Sequence, residues 1–205
     1  MGIKSIVTRF VRNKLFVYKH RDCDIDRPLI ITNSKYITLG NNVRIKKGAR
    51  IECYDVFAKK KLVPSVNIAN DVIIQYNFTC LSSDIVDIGE NTIIASNVSI
   101  MTHNHGINPE AAIPYHAQPL STRPVLIGQN CWIGENVVLL PGAKIGDYSI
   151  VAAGAIVNKE FPSYTILAGV PAKIIKKWDF DLHKWVKVKN NNSLINEYAK
   201  ESKNE

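Results

Sequence analysis

The chain of 205 residues carries a formal net charge of +8, and 46% of its residues are hydrophobic, which suits a single domain with a substantial core. No apolar run approaches the ~18 residues of a membrane-spanning helix, and the first residues lack the apolar region and cleavage site of a secretory signal, so we expect a cytoplasmic protein. Basic residues crowd both ends without interleaved aromatic residues, a pattern that argues against a nucleic-acid partner.

Residues 1–36 form the predicted N-terminal segment. Between residues 3 and 18 the apolar side chains recur at helical spacing, and basic side chains occupy the opposite face. This pattern predicts an amphipathic helix that covers the open end of the following repeat. An alternative is peripheral contact of residues 1–20 with an anionic membrane at its inner face.

Residues 37–170 form the predicted central domain, which is built on a repeat of six. An aliphatic residue stands at every sixth position over the best-formed stretch, namely at Ile127, Ile133, Leu139, Ile145, Val151 and Val157. Earlier sets begin at Leu39, Ile68 and Ile88. A period of six is neither helical nor a simple strand alternation, and it indicates a solenoid. Three such units make one turn, so the sequence predicts an all-β, triangular parallel β-helix of about five coils.

Small residues support this interpretation of the repeat. Asn130, Asn136, Gly142 and Gly154 hold the position where a bend between flat sides needs positive φ. Cys80 and Cys131 fall on inward positions, which predicts buried thiols rather than disulfides or metal ligands. The repeat loses phase at 54–65, 81–87 and 101–126, so we expect loops to leave the β-helix there.

The 101–126 loop is the candidate active-site loop, because it interrupts two well-formed coils and holds three of the five histidines. His103 lies where a coil turns into this loop, and a histidine there can accept a proton from an attacking hydroxyl or amine. A rival is a zinc site that joins His103, His105 and a histidine of a neighbouring chain. No histidine lies between residues 21 and 102, however, so we expect no metal.

The last predicted segment is a basic C-terminal extension, residues 171–205. Gly169 and Pro171 are expected to close the coils, and residues 172–178 to form a short basic turn or helix. Ser193 is a candidate N-cap for a final helix over 194–200.

The HNHG run at 103–106 and the stretch 123–176 closely resemble the hexapeptide-repeat acyltransferases, in particular the bacterial sugar and polysaccharide O-acetyltransferases. The resemblance implies a left-handed β-helix with terminal helical segments, assembled as a homotrimer that binds acetyl-CoA between subunits. It also implies transfer of the acetyl group to a hydroxyl of a sugar or of a surface polysaccharide or lipopolysaccharide precursor.

The same resemblance assigns roles to individual positions. His103 takes the part of the general base, and the backbone N–H of Glu135 donates to the thioester oxygen. The other positions implied for the coenzyme are Trp132, Gly134, Ala153, Asn158, Lys159, Lys173 and Lys176. We expect no well-placed catalytic Cys or Ser, and therefore direct transfer without an acyl-enzyme.

The acceptor is less well specified. The resemblance places Asn77 and Asp84 near it, while His105 and Tyr115 of the long loop are candidates for lining its pocket. One alternative is an N-acyltransferase that acts on a nucleotide-linked amino sugar. Another is a trimeric scaffold or metal protein that keeps the β-helix without the chemistry.

Overall fold

The computed structural model describes residues 22–27 and 29–188, and it confirms a three-sided parallel β-helix. Each coil gives one short strand to each of three sheets, which we number first, second and third in chain order. Strands of successive coils pair in parallel and in register, as in Ile94 with Ile133 and Ile133 with Val151. The aliphatic side chains of one coil therefore stack on those of the next.

The first three coils run from residue 24 to residue 88. Their strands are β1 (Asp24–Ile25), β2 (Leu29–Thr32), β3 (Ile37–Leu39), β4 (Arg44–Ile45), β5 (Ala49–Cys53), β6 (Val56–Phe57), β7 (Lys60–Lys61), β8 (Ser65–Ile68), β9 (Ile73–Ile74), β10 (Thr79–Ser82) and β11 (Ile85–Ile88). A short 3-10 helix, Ser34–Tyr36, precedes β3. The coils thus begin earlier than the predicted boundary at residue 37.

The later coils run from residue 93 to the end of the described region. Their strands are β12 (Ile93–Ile94), β13 (Ser99–Met101), β14 (His103–Asn104), β15 (Ser121–Thr122), β16 (Val125–Ile127), β17 (Trp132–Ile133), β18 (Val138–Leu139), β19 (Lys144–Ile145), β20 (Ile150–Val151), β21 (Ile156–Val157), β22 (Glu160–Phe161), β23 (Thr165–Ala168), β24 (Lys173–Asp179) and β25 (Lys184–Lys187). A second 3-10 helix spans Tyr115–Ala117. The described region holds six coils rather than about five.

The hexad positions form the core, as predicted. The six aliphatic residues from Ile127 to Val157 are each at most 3% exposed, and Cys80 and Cys131 are buried, free thiols. Asn130, Asn136, Gly142 and Gly154 all have positive φ. The period of six therefore encodes both the interior and the bends.

Two of the three phase slips are loops, and one is not. The 54–65 segment forms the antiparallel β6–β7 hairpin, and the 101–126 segment forms the long loop, whose ends pair as β14 and β15. The predicted loop at 81–87 is wrong, because β10 and β11 continue through it and only Ser83 and Asp84 turn the corner. This short corner is bonded directly to the next coil, where the Thr102 hydroxyl accepts from the N–H groups of Ser83 and Asp84.

The predicted basic turn or helix at 172–178 is also wrong. Strand β24 folds back antiparallel to β23, and β25 pairs antiparallel with β24. A parallel coil at the end of a stack leaves a row of unpaired backbone groups, and an antiparallel hairpin covers that row. Pairing of this open edge decides the local structure more strongly than the basic composition does.

The N-terminal helix, the membrane contact of residues 1–20 and the helix over 194–200 lie outside the described residues. Among the residues that the structure does describe, no helix combines the length and the apolar character needed to cross a membrane.

Candidate active site

His103 lies at the edge between the second and third sheets, at the start of the long loop. Strand pairing with Thr122 fixes its backbone, and the side chain is half-buried. The ring Nδ1 atom is 3.0 Å from Oγ of Ser83, and the ring of Tyr54 meets it edge-on at 5.7 Å between centroids. Burial lowers the pKa of the His103 imidazole, and the nearby His105 lowers it further. The ring is therefore neutral at pH 7.

The corner beneath His103 is tightly held. The hydroxyl oxygen of Thr102, a fully buried residue, accepts hydrogen bonds from the backbone N–H groups of Ser83 at 2.7 Å and of Asp84 at 3.1 Å. The hydroxyl of Ser82 donates to the Asp84 carbonyl at 2.6 Å. These bonds place Ser83 directly under the imidazole. A buried serine that was not among the predicted site residues therefore lies beside the candidate base.

A second polar group supports the same edge from the preceding coil. The Glu52 carboxylate accepts from the Arg50 guanidinium at 2.6 Å and from the Tyr54 hydroxyl. These bonds lower the pKa of Glu52, whereas burial and the bond to Glu52 raise the pKa of Tyr54. Tyr54 therefore stays protonated, and its ring is held against His103.

The long loop and the β6–β7 hairpin meet beside this corner. The ring of His105 contacts Phe57 at 5.4 Å between centroids. Further along the loop, the buried side chain of Gln118 bonds to both backbone groups of Asn108. Tyr115 is 56% exposed and lines a cavity of about 510 Å³ with that part of the loop. The structure thus brings His105 close to His103, but it places Tyr115 in a separate pocket.

The edge between the first and second sheets holds another set of predicted residues. Asn77 lies there with φ 58°, and its amide donates to the side chain of Asn97 at 3.1 Å. Asp84, by contrast, lies at the other end of β10, beside Ser83. Within one protomer, strand β10 thus separates Asn77 from His103.

Gly134 and Glu135 lie on the same edge as Asn77, two coils further along. A Cβ atom on Gly134 would come within 2.7 Å of the Ala153 backbone nitrogen, so only glycine fits at this contact. The Glu135 carbonyl accepts from Gly154 N–H at 2.8 Å. Across the described ranges, no hydrogen bond occupies the Glu135 N–H itself. Trp132 lies nearby on the outer face of the first sheet and is 55% exposed.

The remaining predicted coenzyme residues divide between two places. Asn158 and Lys159 lie between β21 and β22, on the same edge as His103, and the Lys159 ammonium sits 5.5 Å from the Phe161 ring centroid. Lys173 and Lys176 lie on β24 and line a cavity of about 420 Å³, to which Lys187 of β25 also contributes. We name the edge of Ser83, Asp84 and His103 the histidine edge. The edge of Asn77, Glu135 and Ala153 is the glycine edge.

The part of the chain covered by the structure contains no group of three or more His, Cys, Asp or Glu residues that could hold a metal ion.

Four residues around the candidate base were not predicted from the sequence, namely Ser83, Thr102, Tyr54 and Glu52. A usable signal existed for Ser83. Side chains bond across these coils at a separation of 20 residues, as in Asn77 with Asn97 and Asn70 with Glu90. Counting 20 residues back from His103 reaches Ser83.

Comparison with known proteins finds the same hexapeptide repeat. The family described as "Bacterial transferase hexapeptide (six repeats)" matches residues 124–159. The "Putative lipopolysaccharide biosynthesis O-acetyl transferase WbbJ" of Escherichia coli is 38% identical over 87% of this chain and 92% of its own length. Galactoside O-acetyltransferase of the same species is 35% identical over 60% of each chain.

Solved structures share the fold. AntD, an N-acyltransferase from Bacillus cereus in complex with dTDP and 3-hydroxybutyryl-CoA, superimposes with a TM-score of 0.68 at 18% identity over 96% of each chain. A hexapeptide-repeat acetyltransferase of Vibrio cholerae complexed with acetyl coenzyme A gives a TM-score of 0.58 at 21% identity, over 87% of this chain and 80% of its own. These likenesses show the architecture, whereas the chemistry has to come from the residues.

Proposed function

Because this chain belongs to the hexapeptide-repeat acetyltransferases, whose coil is a left-handed β-helix, we propose that it transfers acetyl from acetyl-CoA to a sugar hydroxyl. The acceptor is a sugar, or a precursor of a surface polysaccharide or lipopolysaccharide. The observation that carries this proposal is the environment of His103: a half-buried imidazole whose pKa is lowered and whose Nδ1 atom is occupied by Ser83. Such a ring offers one free nitrogen, Nε2, as a base.

The reaction follows from that geometry. Nε2 of His103 accepts the hydroxyl proton while the acceptor oxygen attacks the thioester carbonyl carbon. Negative charge develops on the carbonyl oxygen, where the unoccupied N–H of Glu135 donates a hydrogen bond. The carbon–sulfur bond then breaks, and the proton on His103 passes to the coenzyme sulfur. The products are the acetyl ester and free CoA.

Direct transfer is favoured over a covalent cysteine intermediate. Cys80, three residues before Ser83, is completely buried, and so is Cys53 at the end of β5. Burial raises the pKa of the Cys53 thiol to about 11, and it does the same for Cys131. A protonated, inaccessible thiol is a poor nucleophile.

The separation of the two edges supports a homo-oligomeric site. His103 and Glu135 lie on different edges of one prism, yet the reaction needs both at one carbonyl group. A second copy, with its glycine edge against the histidine edge of the first, brings them together. Closed rotational symmetry then gives identical sites between neighbours, and a homotrimer suits a three-sided prism.

The coenzyme occupies this seam. Gly134 and Ala153 let the pantetheine arm approach the backbone, and Trp132 walls the same groove. Asn158 and Lys159 contact it from the histidine edge. Lys173 and Lys176 lie where ammonium groups can meet the coenzyme phosphates.

The acceptor lies on the other side of the imidazole. Asp84 is adjacent to Ser83 on the histidine edge, and His105 is held beside it by Phe57. Asn77 reaches the acceptor from the neighbouring copy. Tyr115, in its separate pocket, contacts the outer part of a long acceptor molecule.

The test is an acceptor panel of neutral sugars, lipid-linked glycans and amino-sugar nucleotides, with acetyl-CoA as donor and free CoA as the readout. The proposal predicts an alkali-labile acetyl ester on a hydroxyl. Stable acetylation of nitrogen, confined to amino sugars, would replace it with the N-acyltransferase alternative.

A further inference from the structure

The contact between Ser83 and His103 carries an inference beyond the identity of the base. The two side chains meet at 3.0 Å, between Oγ and Nδ1, and Ser83 is 2% exposed. Within the described residues, no other hydrogen bond reaches the His103 ring. Ser83 therefore supplies the hydrogen bond to the imidazole, while the Tyr54 ring packs edge-on against it.

We propose that Ser83 is a positioning residue that accepts a hydrogen bond from Nδ1–H of His103. It thereby holds the ring in the tautomer whose Nε2 atom is unprotonated. This inference rests on the proposed function, in which Nε2 is the base.

The direction of the hydrogen bond between Ser83 and His103 follows from which ring nitrogen the acceptor sugar can reach. Nδ1 faces a buried hydroxyl, so an acceptor sugar can reach the ring only at Nε2. A base needs its lone pair there, and a neutral imidazole then carries its single proton on Nδ1. Ser83 must consequently accept, because Nδ1–H has become the donor.

The surroundings agree with a neutral ring. The titratable and charged groups that face this corner are His105 from the loop, Tyr54 just after β5 and Asp84 from the turn. Glu52 lies behind Tyr54, where Arg50 and the Tyr54 hydroxyl bind its carboxylate. A hydroxyl can therefore fix the tautomer without adding a negative charge that would raise the pKa of the imidazole.

A serine beside a histidine also raises the question of a nucleophile. An attacking hydroxyl must reach the thioester carbon, but the Ser83 side chain is enclosed under the ring, and its backbone is fixed to Thr102. Burial at this depth excludes a bulky thioester. Ser83 therefore positions the base and does not carry the acetyl group.

The stacking of the coils fixes the position of Ser83 beneath His103. Ser83 lies 20 residues before His103, which is the spacing at which side chains of these two coils meet. Thr102 bonds to the N–H groups of Ser83 and Asp84, so the residue before His103 also sets the position of its partner. The arrangement belongs to the fold and needs no bound ligand.

The first experiment uses the unmodified protein. The ring nitrogens of His103 are observed by 15N NMR at neutral pH and assigned by loss of the signal in His103→Asn. The proposal predicts a protonated Nδ1 and an unprotonated Nε2. The opposite tautomer, with the proton on Nε2, would overturn it.

The second experiment compares variants. Ser83→Ala should lower kcat by about tenfold with little change in KM for either substrate, which corresponds to one lost hydrogen bond. Its NMR spectrum should show mixed tautomers. Ser149→Ala is the matched control, because Ser149 is also buried and hydrogen-bonded but lies between β19 and β20, on neither of the two edges that hold the predicted site. Ser83→Thr keeps the hydroxyl and should restore most of kcat.

The outcomes distinguish this inference from the proposed function. If His103→Ala abolishes transfer while Ser83→Ala retains full kcat and one tautomer, the positioning role fails and the function stands. If Ser83→Ala is as inactive as His103→Ala and a single turnover leaves acetyl on Ser83, the residue is a nucleophile, and the inference is wrong. If no sugar is acetylated at all, the tautomer of the unmodified protein still decides the question.

Discussion

The two edges of this β-helix that hold predicted site residues differ in regularity. The glycine edge repeats the same bend in coil after coil, with Asn77, Asn97, Asn136 and Gly154 all at positive φ. The histidine edge changes from coil to coil, from the β6–β7 hairpin to the short Ser83–Asp84 corner and then to the long loop. The regular edge offers backbone groups at fixed spacing, and the irregular edge offers side chains. The proposed acyl-transfer seam uses both.

The largest loss of activity is expected from a substitution on the histidine edge. His103→Ala should lower kcat by about 10²–10⁴-fold, because general-base catalysis contributes that much. The oligomer and coenzyme binding should persist, since the ring is not part of the core. Steady-state kinetics and calorimetric titration with CoA measure the two properties separately. A variant that retains the wild-type rate would remove His103 from the mechanism.

A comparable loss of activity should follow from removing one backbone N–H group of the glycine edge. Glu135→Pro deletes the N–H proposed as the oxyanion donor, and kcat should fall by about 10²–10³-fold. Proline suits this position because Pro141 occupies the equivalent place in the next hexad. Glu135→Ala is the control: it keeps the N–H and should retain kcat. Equal loss in both variants would implicate the carboxylate instead.

Two glycines of the glycine edge distinguish the cost of a steric clash from the cost of a strained backbone conformation. Gly134→Ala should destabilise the fold by about 1–3 kcal/mol, since its Cβ would press on the Ala153 and Val151 backbone. Gly154→Ala meets no atom within 4 Å and is strained only by its φ of +72°, at a cost of about 1 kcal/mol. Thermal unfolding midpoints rank the two. Gly134→Ala should also weaken CoA binding more, and a reversed order would contradict the packing described.

The smallest effect is a shift in pH dependence. Because burial lowers the pKa of the His103 ring, the acid limb of the kcat profile should lie at more acidic pH than the limb of an ordinary histidine. His105→Ala removes a neighbouring imidazole that helps to lower the pKa of His103, so that pKa should rise and the acid limb should move toward higher pH. A pH–kcat profile of both proteins measures the shift. An acid limb that moves in the opposite direction would show that His105 acts otherwise.

The regular parts of the molecule could be predicted from sequence because one repeat determines the core, the bends and the pairing. Ile127 and Ile133 are buried for the same reason that Asn130 bends the chain. Even the first coil left a signal, since Ile25 and Ile31 lie 20 residues before their partners Ile45 and Ile51.

The irregular parts resisted prediction because contacts between coils decide them. Ser83 looks like a polar residue in a phase slip until the spacing between coils is known. Strand β24 looks like a basic turn, because the open edge of β23 that it covers is invisible in one sequence. The place of His103 at the start of the long loop could be predicted from the repeat, whereas its neighbour Ser83 is found only with the 20-residue spacing between coils.

The central claim is that catalysis joins the histidine edge of one copy to the glycine edge of another, and mixed oligomers test it directly. His103→Ala and Glu135→Pro are co-expressed with different tags, and oligomers that contain both are purified. If each site combines two protomers, every trimer that contains both variants pairs an intact His103 with an intact Glu135 N–H at one of its three sites. Activity near a third of the wild-type value is the predicted result. Activity no higher than that of either parent would show that the two edges do not meet across a seam.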